Sequence, residues 1–187
     1  MGVTPRLSEH PWPDCGVARE GAVLVLVYPS AGQFWLPLML RTQHVVDHKG
    51  QISFPGGQRE AEDLSFWHTA LREAGEEIAL VSSQVRYAGA LTPHYIAPSH
   101  FKVHPYVGWE DSRPEFSPNT FEVAELFELP LAVLHDPQAK GDEPRELYSQ
   151  AVCVRYYRYR EHIIWGATAM ILSELEAVLV SLADPGK

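Results

Sequence analysis

The stretch Phe54-Pro55-Gly56-Gly57-Gln58-Arg59-Glu60-Ala61-Glu62-Asp63-Leu64-Ser65-Phe66-Trp67-His68-Thr69-Ala70-Leu71-Arg72-Glu73-Ala74-Gly75-Glu76-Glu77-Ile78-Ala79-Leu80 joins a glycine turn to a helix with an acidic face. At about 100° per residue, Glu73, Glu76 and Glu77 fall within roughly one 100° arc, while Trp67, Leu71, Ala74 and Ile78 form a separate apolar stripe. One face is expected to pack on a core and its neighbour to gather three carboxylates. Like charges at i,i+4 oppose a helix by about 0.2–0.5 kcal/mol, and Gly75 costs about 1 kcal/mol more relative to alanine. A divalent cation answers that crowding. Oxygen ligands suit Mg2+ or Mn2+, and Mg2+ takes few protein carboxylates, leaving its other positions to water and substrate phosphates. The plainer alternative is a solvated acidic face in which Arg72 pairs a neighbour. The upstream Phe54-Pro55-Gly56-Gly57 favours the cation, because glycines let backbone N–H groups approach phosphate or metal-bound oxygen closely.

These residues resemble the Nudix hydrolases, whose box reads G-x5-E-x7-R-E-U-x-E-E-x-G-U with U aliphatic. Arg72-Glu73-Ala74, Glu76 and Glu77 match its core. Asp63 stands for the first glutamate, the spacing from Asp63 to Arg72 is one residue longer, and Ala79 replaces the late glycine. Upstream, Leu38, Arg41, Gly50 and Phe54-Pro55-Gly56-Gly57 fit the L-x-x-R-S-x3-R-x3-G-x3-F-P-G-G element of the coenzyme A diphosphatase branch. Thr42 keeps the hydroxyl of the serine there, whereas Val46 occupies the second arginine position, for which Lys49 is a candidate replacement. Downstream, residues 122–130 and the segment Ile164-Trp165-Gly166-Ala167-Thr168-Ala169-Met170 resemble the family's post-box segment and the start of its last helix. The resemblance covers most of residues 22–182.

It implies an α/β/α sandwich around a mixed β-sheet, and metal-dependent cleavage of a diphosphate bond. The implied substrate is coenzyme A or an acyl-CoA, cut to 3′,5′-ADP and a phosphopantetheine. Another ADP derivative, such as an ADP-sugar, ADP-ribose or NADH, or a nucleoside triphosphate, remains the alternative, and Val46 keeps it open. A nucleotide-sensing module without turnover is a further reading, against which the full acidic set argues. Glu73, Glu76 and Glu77 are the expected metal ligands, with Mg2+ or Mn2+ as cofactor. The metal is expected to neutralise charge on the diphosphate and to lower the pKa of a bound water. Glu76 and Glu122 are the candidates for orienting or deprotonating that water, and by resemblance Arg72 orients the carboxylates. Glu122 otherwise reads as an ordinary loop carboxylate, and Glu125 is a weaker version of the same idea. Arg41, Lys49, Gly56 and Gly57 are the candidate substrate-binding residues.

A chain of 187 residues with 45% hydrophobic content is long enough for one well-cored domain, here 21–183, preceded by an irregular arm over 1–20 with Pro5, Pro11 and Pro13. The formal net charge of −9 opposes nonspecific binding to nucleic acid or anionic membrane, and the small nucleotide partner that the resemblance implies would need local cations. Cys15 and Cys153 form no metal-ligand or redox pair by spacing. The first residues lack a secretory pattern, which points to the cytoplasm; a homodimer stays open.

Strands are expected over 22–28, 34–40, 87–91 and 103–109, with Pro37 placing the second at an edge or bulge. The helices span 64–80 and 166–182, the loops 92–102 and 111–120, and a hairpin 147–159. His94, His100 and His104 match no strong zinc pattern and are expected to line the cleft or cap loops. Tyr156, Tyr157, Tyr159 and Trp165 read as core or cross-strand packing before they read as an adenine platform.

Overall fold

A run that is apolar at every position, as over 22–28, buries both faces if it is a strand. The computed structural model, which describes residues 17–43, 50–147 and 150–183, places that run inside β1 (Arg19–Ser30). Ala22, Leu24, Leu26 and Tyr28 pack on one side with Ala70, Ala74 and Ile78, while Val25 packs on the other with Leu36, Leu38 and Leu172. Each face of β1 therefore meets its own core.

The chain continues through β2 (Gln33–Arg41), β3 (Ile52–Ser53), β4 (Gly56–Gln58), α1 (Phe66–Ile78), β5 (Arg86–Ala90), β6 (His94–Ile96), β7 (Phe101–Trp109) and β8 (Val123–Pro130). It ends with β9 (Lys140–Leu147), β10 (Gln150–Tyr159), β11 (His162–Trp165) and α2 (Gly166–Ala183). The larger sheet runs β3-β2-β1-β7-β5, with β4 on β1, β6 on β7 and β8 on β2. β1 and β7 are parallel and the other pairings antiparallel. The result is a mixed sheet with α1 packed on one face and α2 on the other, as the α/β/α expectation requires. β11-β10-β9 form a second sheet. Thr168 at the start of α2 donates to the Ile52 carbonyl at 2.8 Å, tying the last helix to the segment that precedes β4.

Several expectations change. β2 is not an edge, since it pairs with β8 from Trp35 to Arg41. On its other side β1 reaches only to Trp35 and β3 begins at Met39, so Pro37 falls between those two ladders. The predicted hairpin over 147–159 is almost wholly the single strand β10, paired with β9 and β11. The predicted loop 92–102 contains β6, and Arg19 and Glu20, expected in the arm, open β1. The rest of that arm up to residue 16, including Cys15, lies outside the described residues. By length and composition α2 could cross a membrane, with mean hydropathy 1.5. Here Ala169, Ile171, Leu172 and Leu175 are buried in the core.

Candidate active site

Gly57 decides where the α1 carboxylates can lie. β4 pairs with β1 through Val23↔Gly56 and Ala22↔Gly57, and α1 packs on both strands. A Cβ on Gly57 would stand 2.5 Å from Cδ and Oε2 of Glu73 and 2.6 Å from Oε1, so glycine is what lets this carboxylate rest on the strand. One turn further, Glu77 is only 1% exposed. Its Oε2 accepts the Gly56 N–H at 2.8 Å, and its Oε1 accepts Nη1 of Arg41 from β2 at 2.9 Å. Burial pushes the Glu77 carboxyl up to about 8, opposed by Arg41 and the Gly56 N–H and reinforced by Glu73. Burial also raises Glu73; Arg72 opposes that shift, while Glu76 and Glu122 add to it.

Arg72 organises the outer half of the cluster. Its Nε and Nη2 donate to Asp63 at 3.0 and 3.1 Å, and Nη2 also donates to the Gln58 carbonyl at 3.0 Å. The same guanidinium stands 3.0 Å from Glu73 and 3.3 Å from both oxygens of the exposed Glu76. Asp63 accepts further bonds from the Glu60 N–H and the buried Thr69 hydroxyl, both at 2.9 Å. The Arg72 guanidinium holds the Asp63 carboxyl well below the usual carboxylate range. The two departures from the box thus offset each other: a shorter acid, one residue more distant in sequence, still reaches the arginine in a two-pronged pair.

The connection from β7 to β8 wraps the C-terminal end of α1. Ser117 donates its N–H to the Ile78 carbonyl at 3.0 Å and Asn119 to the Glu77 carbonyl at 2.8 Å, serving carbonyls that a helix end leaves open. The Asn119 side chain donates to Glu122 at 3.3 Å, and Glu122 lies within electrostatic reach of Glu73. Glu122 therefore joins the cluster. Glu125 does not join it in any observed interaction; it approaches His162. Asn119 and Thr69 were not expected from sequence. Thr69, three residues before Arg72, and Asn119, after Pro118 in the turn-rich connector, were the available signals.

Gly56 and Gly57 lie against the carboxylates as part of β4, and Arg41 grips Glu77. Lys49 and Val46 lie outside the described residues. The three histidines have separate surroundings: His104 stacks on Phe66 with centroids 3.8 Å apart, His100 bonds the Tyr95 hydroxyl at 2.6 Å, and His94 stands 3.8 Å from Glu174. Tyr156 pairs across strands with Trp165 and Tyr159 with His162, while Tyr157 is buried. These are packing roles.

The donor set fits a hard divalent cation. Glu73, Glu76, Glu77 and Glu122 crowd one patch around two arginines that are already paired, Arg41 and Arg72. Glu76 and Glu77 also sit in the last turn of α1, where the helix dipole disfavours negative charge and the turn itself holds no basic residue. Ionised carboxylate oxygens keep lone pairs for a cation beyond the bonds they accept, and an all-oxygen set suits Mg2+ or a similar ion.

The sequence model of the family described as NUDIX domain matches residues 18–150. A protein of Pectobacterium atrosepticum named as an uncharacterized Nudix hydrolase, NudL, is 37% identical over 164 residues, spanning 84% of this chain and 81% of its own. One of Yersinia pestis with the same name is 39% identical over 159 residues, spanning 84% and 78%. Among solved structures, the Nudix hydrolase RenU of M. smegmatis aligns over 88% of both chains with a TM-score of 0.61 at 18% identity. The NUDIX domain of Shewanella oneidensis NrtR, complexed with ADP ribose, aligns over 70% of this chain and 84% of that one with a TM-score of 0.52 at 21% identity. The two structural likenesses concern the fold.

Proposed function

The chain belongs to the Nudix hydrolase family, and from that premise we propose that it hydrolyses the diphosphate of coenzyme A or acyl-CoA to 3′,5′-ADP and (acyl-)phosphopantetheine, using Mg2+ or Mn2+. The observation that carries hydrolysis is the packing of Glu73 against Gly57 beside the buried Glu77, a crowded carboxylate pair that a cation relieves. The substrate rests on the upstream element, in which Arg41 is joined to the cluster through Glu77.

Water adds across the P–O–P bond, one phosphorus taking the hydroxyl oxygen and the other keeping the bridging oxygen. Mg2+ or Mn2+ bound at the α1 cluster supplies charge neutralisation and acidifies water. Glu73 and Glu77 would hold the cation, and Glu76 would share that work or orient the attacking water. Asp63 fixes Arg72, and Arg72 in turn fixes Glu73 and Glu76. Glu122, steadied by Asn119, is the candidate to take the proton of the attacking water. Arg41 binds Glu77 and meets the substrate phosphates beside the Gly56-Gly57 turn, where Gly57 makes room for the Glu73 carboxylate. Residues 21–183 act as one unit on a small nucleotide in the cytoplasm.

Val46, in place of the second arginine of the upstream element, keeps open a second reading, an ADP-ribose or NADH hydrolase. Incubating the chain with coenzyme A, acetyl-CoA, ADP-ribose, NADH and nucleoside triphosphates, with Mg2+ or Mn2+, and weighing the products decides between them. Coenzyme A is expected to give 3′,5′-ADP. Efficient turnover of ADP-ribose or NADH with coenzyme A untouched overturns the substrate assignment.

A further inference from the structure

The sheet β11-β10-β9 has no ladder to the larger sheet among the described residues, yet the turn between β10 and β11 comes against β8. There the His162 ring stacks on Phe127, with centroids 4.0 Å apart and planes 13° from parallel. His162 is 6% exposed, and its Nε2 is enclosed with no hydrogen-bond partner. Glu125 Oε1 of β8 stands 3.3 Å from that nitrogen and Glu161 Oε1 stands 4.0 Å from it. One donor atom from each residue lies within 4.8 Å of the others. At 3.3 Å the Glu125 oxygen is close enough for a hydrogen bond but misdirected for one. Leaving such a nitrogen buried without a partner costs about 1–3 kcal/mol.

A cation between the donors accounts for the 3.3 Å between Glu125 and His162, and the exposed Glu161, 4.0 Å from the same nitrogen, would move in to complete the set. In a tetrahedral site with bonds of about 2.0–2.2 Å, neighbouring donor atoms stand roughly 3.3–3.6 Å apart and need not point at one another. The carboxylates of Glu125 and Glu161 are 44% and 74% exposed, which leaves an entry path and freedom to close on an ion. The set differs in kind from the α1 cluster. One imidazole nitrogen with two carboxylates suits zinc-like ions, whereas the all-oxygen α1 set suits Mg2+ or Mn2+.

We propose that Glu125, Glu161 and His162 form a second cation site for Zn2+ or a similar borderline ion, clipping the turn between β10 and β11 to β8. It shares no residue with the α1 cluster and is independent of the substrate reading. The test is to titrate Zn2+ into the full chain under saturating Mg2+, with heat release giving stoichiometry and histidine 1H–15N spectra giving the ligand. His162→Gln assigns the His162 ring signals. One Zn2+ per chain is expected, with the His162 ring signals shifted, and the Glu125→Gln/Glu161→Gln double variant is expected to bind ~10–100-fold more weakly. If the double variant melts early, Glu161→Ala alone replaces it, since that side chain is mostly exposed. Unmoved His162 signals, undiminished binding in the carboxylate variants or no Zn2+ uptake by the wild type overturns the proposal.

Discussion

On the α2 face of the larger sheet the buried set runs Val25, Leu36, Leu38, Phe127, Leu129, Ile171 and Leu172. On the α1 face it runs Ala22, Leu24, Leu26, Ala70, Ala74 and Ile78 and then meets Thr69, Asp63 and Glu77, all buried. Both faces use the same strand, β1, but they do different work. The α2 side stabilises by burying aliphatic volume, at about 25 cal/mol per Å2 removed from water. Next to the small helix residues Ala70 and Ala74, the α1 side buries polar groups that each need a partner, and those partners fix the carboxylates. A substitution on the first face should therefore act on stability, and one on the second on catalysis.

The largest effect expected on this contrast is from Leu172→Ala. It opens a cavity in the α2 core and should cost about 2–5 kcal/mol in urea unfolding, with turnover per folded molecule unchanged. A fall in turnover of the folded fraction breaks the contrast. Gly57→Ala should do the reverse. Its Cβ displaces the Glu73 carboxylate, so kcat falls ~10–100-fold while the melting temperature moves little. Asp63→Asn sits on the boundary, because Asp63 is both buried and the holder of Arg72. A loss of about 1–3 kcal/mol is expected, with lower turnover. Since Arg72 depresses the Asp63 pKa, the wild-type contribution is full above the unfolded value of 3.8 and is lost as pH falls through the lower folded value. The asparagine variant should lack that acid-dependent loss in a stability–pH series. The smallest effect is from Ala79→Gly. Ala79 closes α1 in the left-handed region at φ 57°, where glycine is favoured, so the change should add about 0.5–1 kcal/mol with activity intact.

How much of this was legible follows the same physics. β1 announced itself as a continuous apolar run, and α1 as a stripe of Trp67, Leu71, Ala74 and Ile78, because burial of whole faces writes a period into sequence. The acidic set was readable for the opposite reason, as crowding that a plain helix avoids. β9 was not readable. Its residues 140–147 are mostly charged and include Pro144, and they form a strand because β10 supplies the ladder and β9 is the sheet edge. Pro37 misled in the other direction, since a gap between two ladders tolerates proline inside a sheet. The place of Glu122 beside Glu73 depends on Asn119 and the wrap of the loop around α1, a tertiary arrangement with no local period. The pairing of Asp63 with Arg72 could be suspected from the box but not its geometry, which rests on the longer loop.

The buried carboxylates of α1 are proposed to serve a cation and thereby the cleavage of a diphosphate. The most direct test is kcat of Glu77→Gln against wild type at matched folded concentration across an Mg2+ titration. Burial already disfavours the charged form of Glu77, so glutamine should fold with a similar melting temperature. A loss of at least ~100-fold that Mg2+ does not restore is expected. Full activity in the folded variant would contradict the cation role.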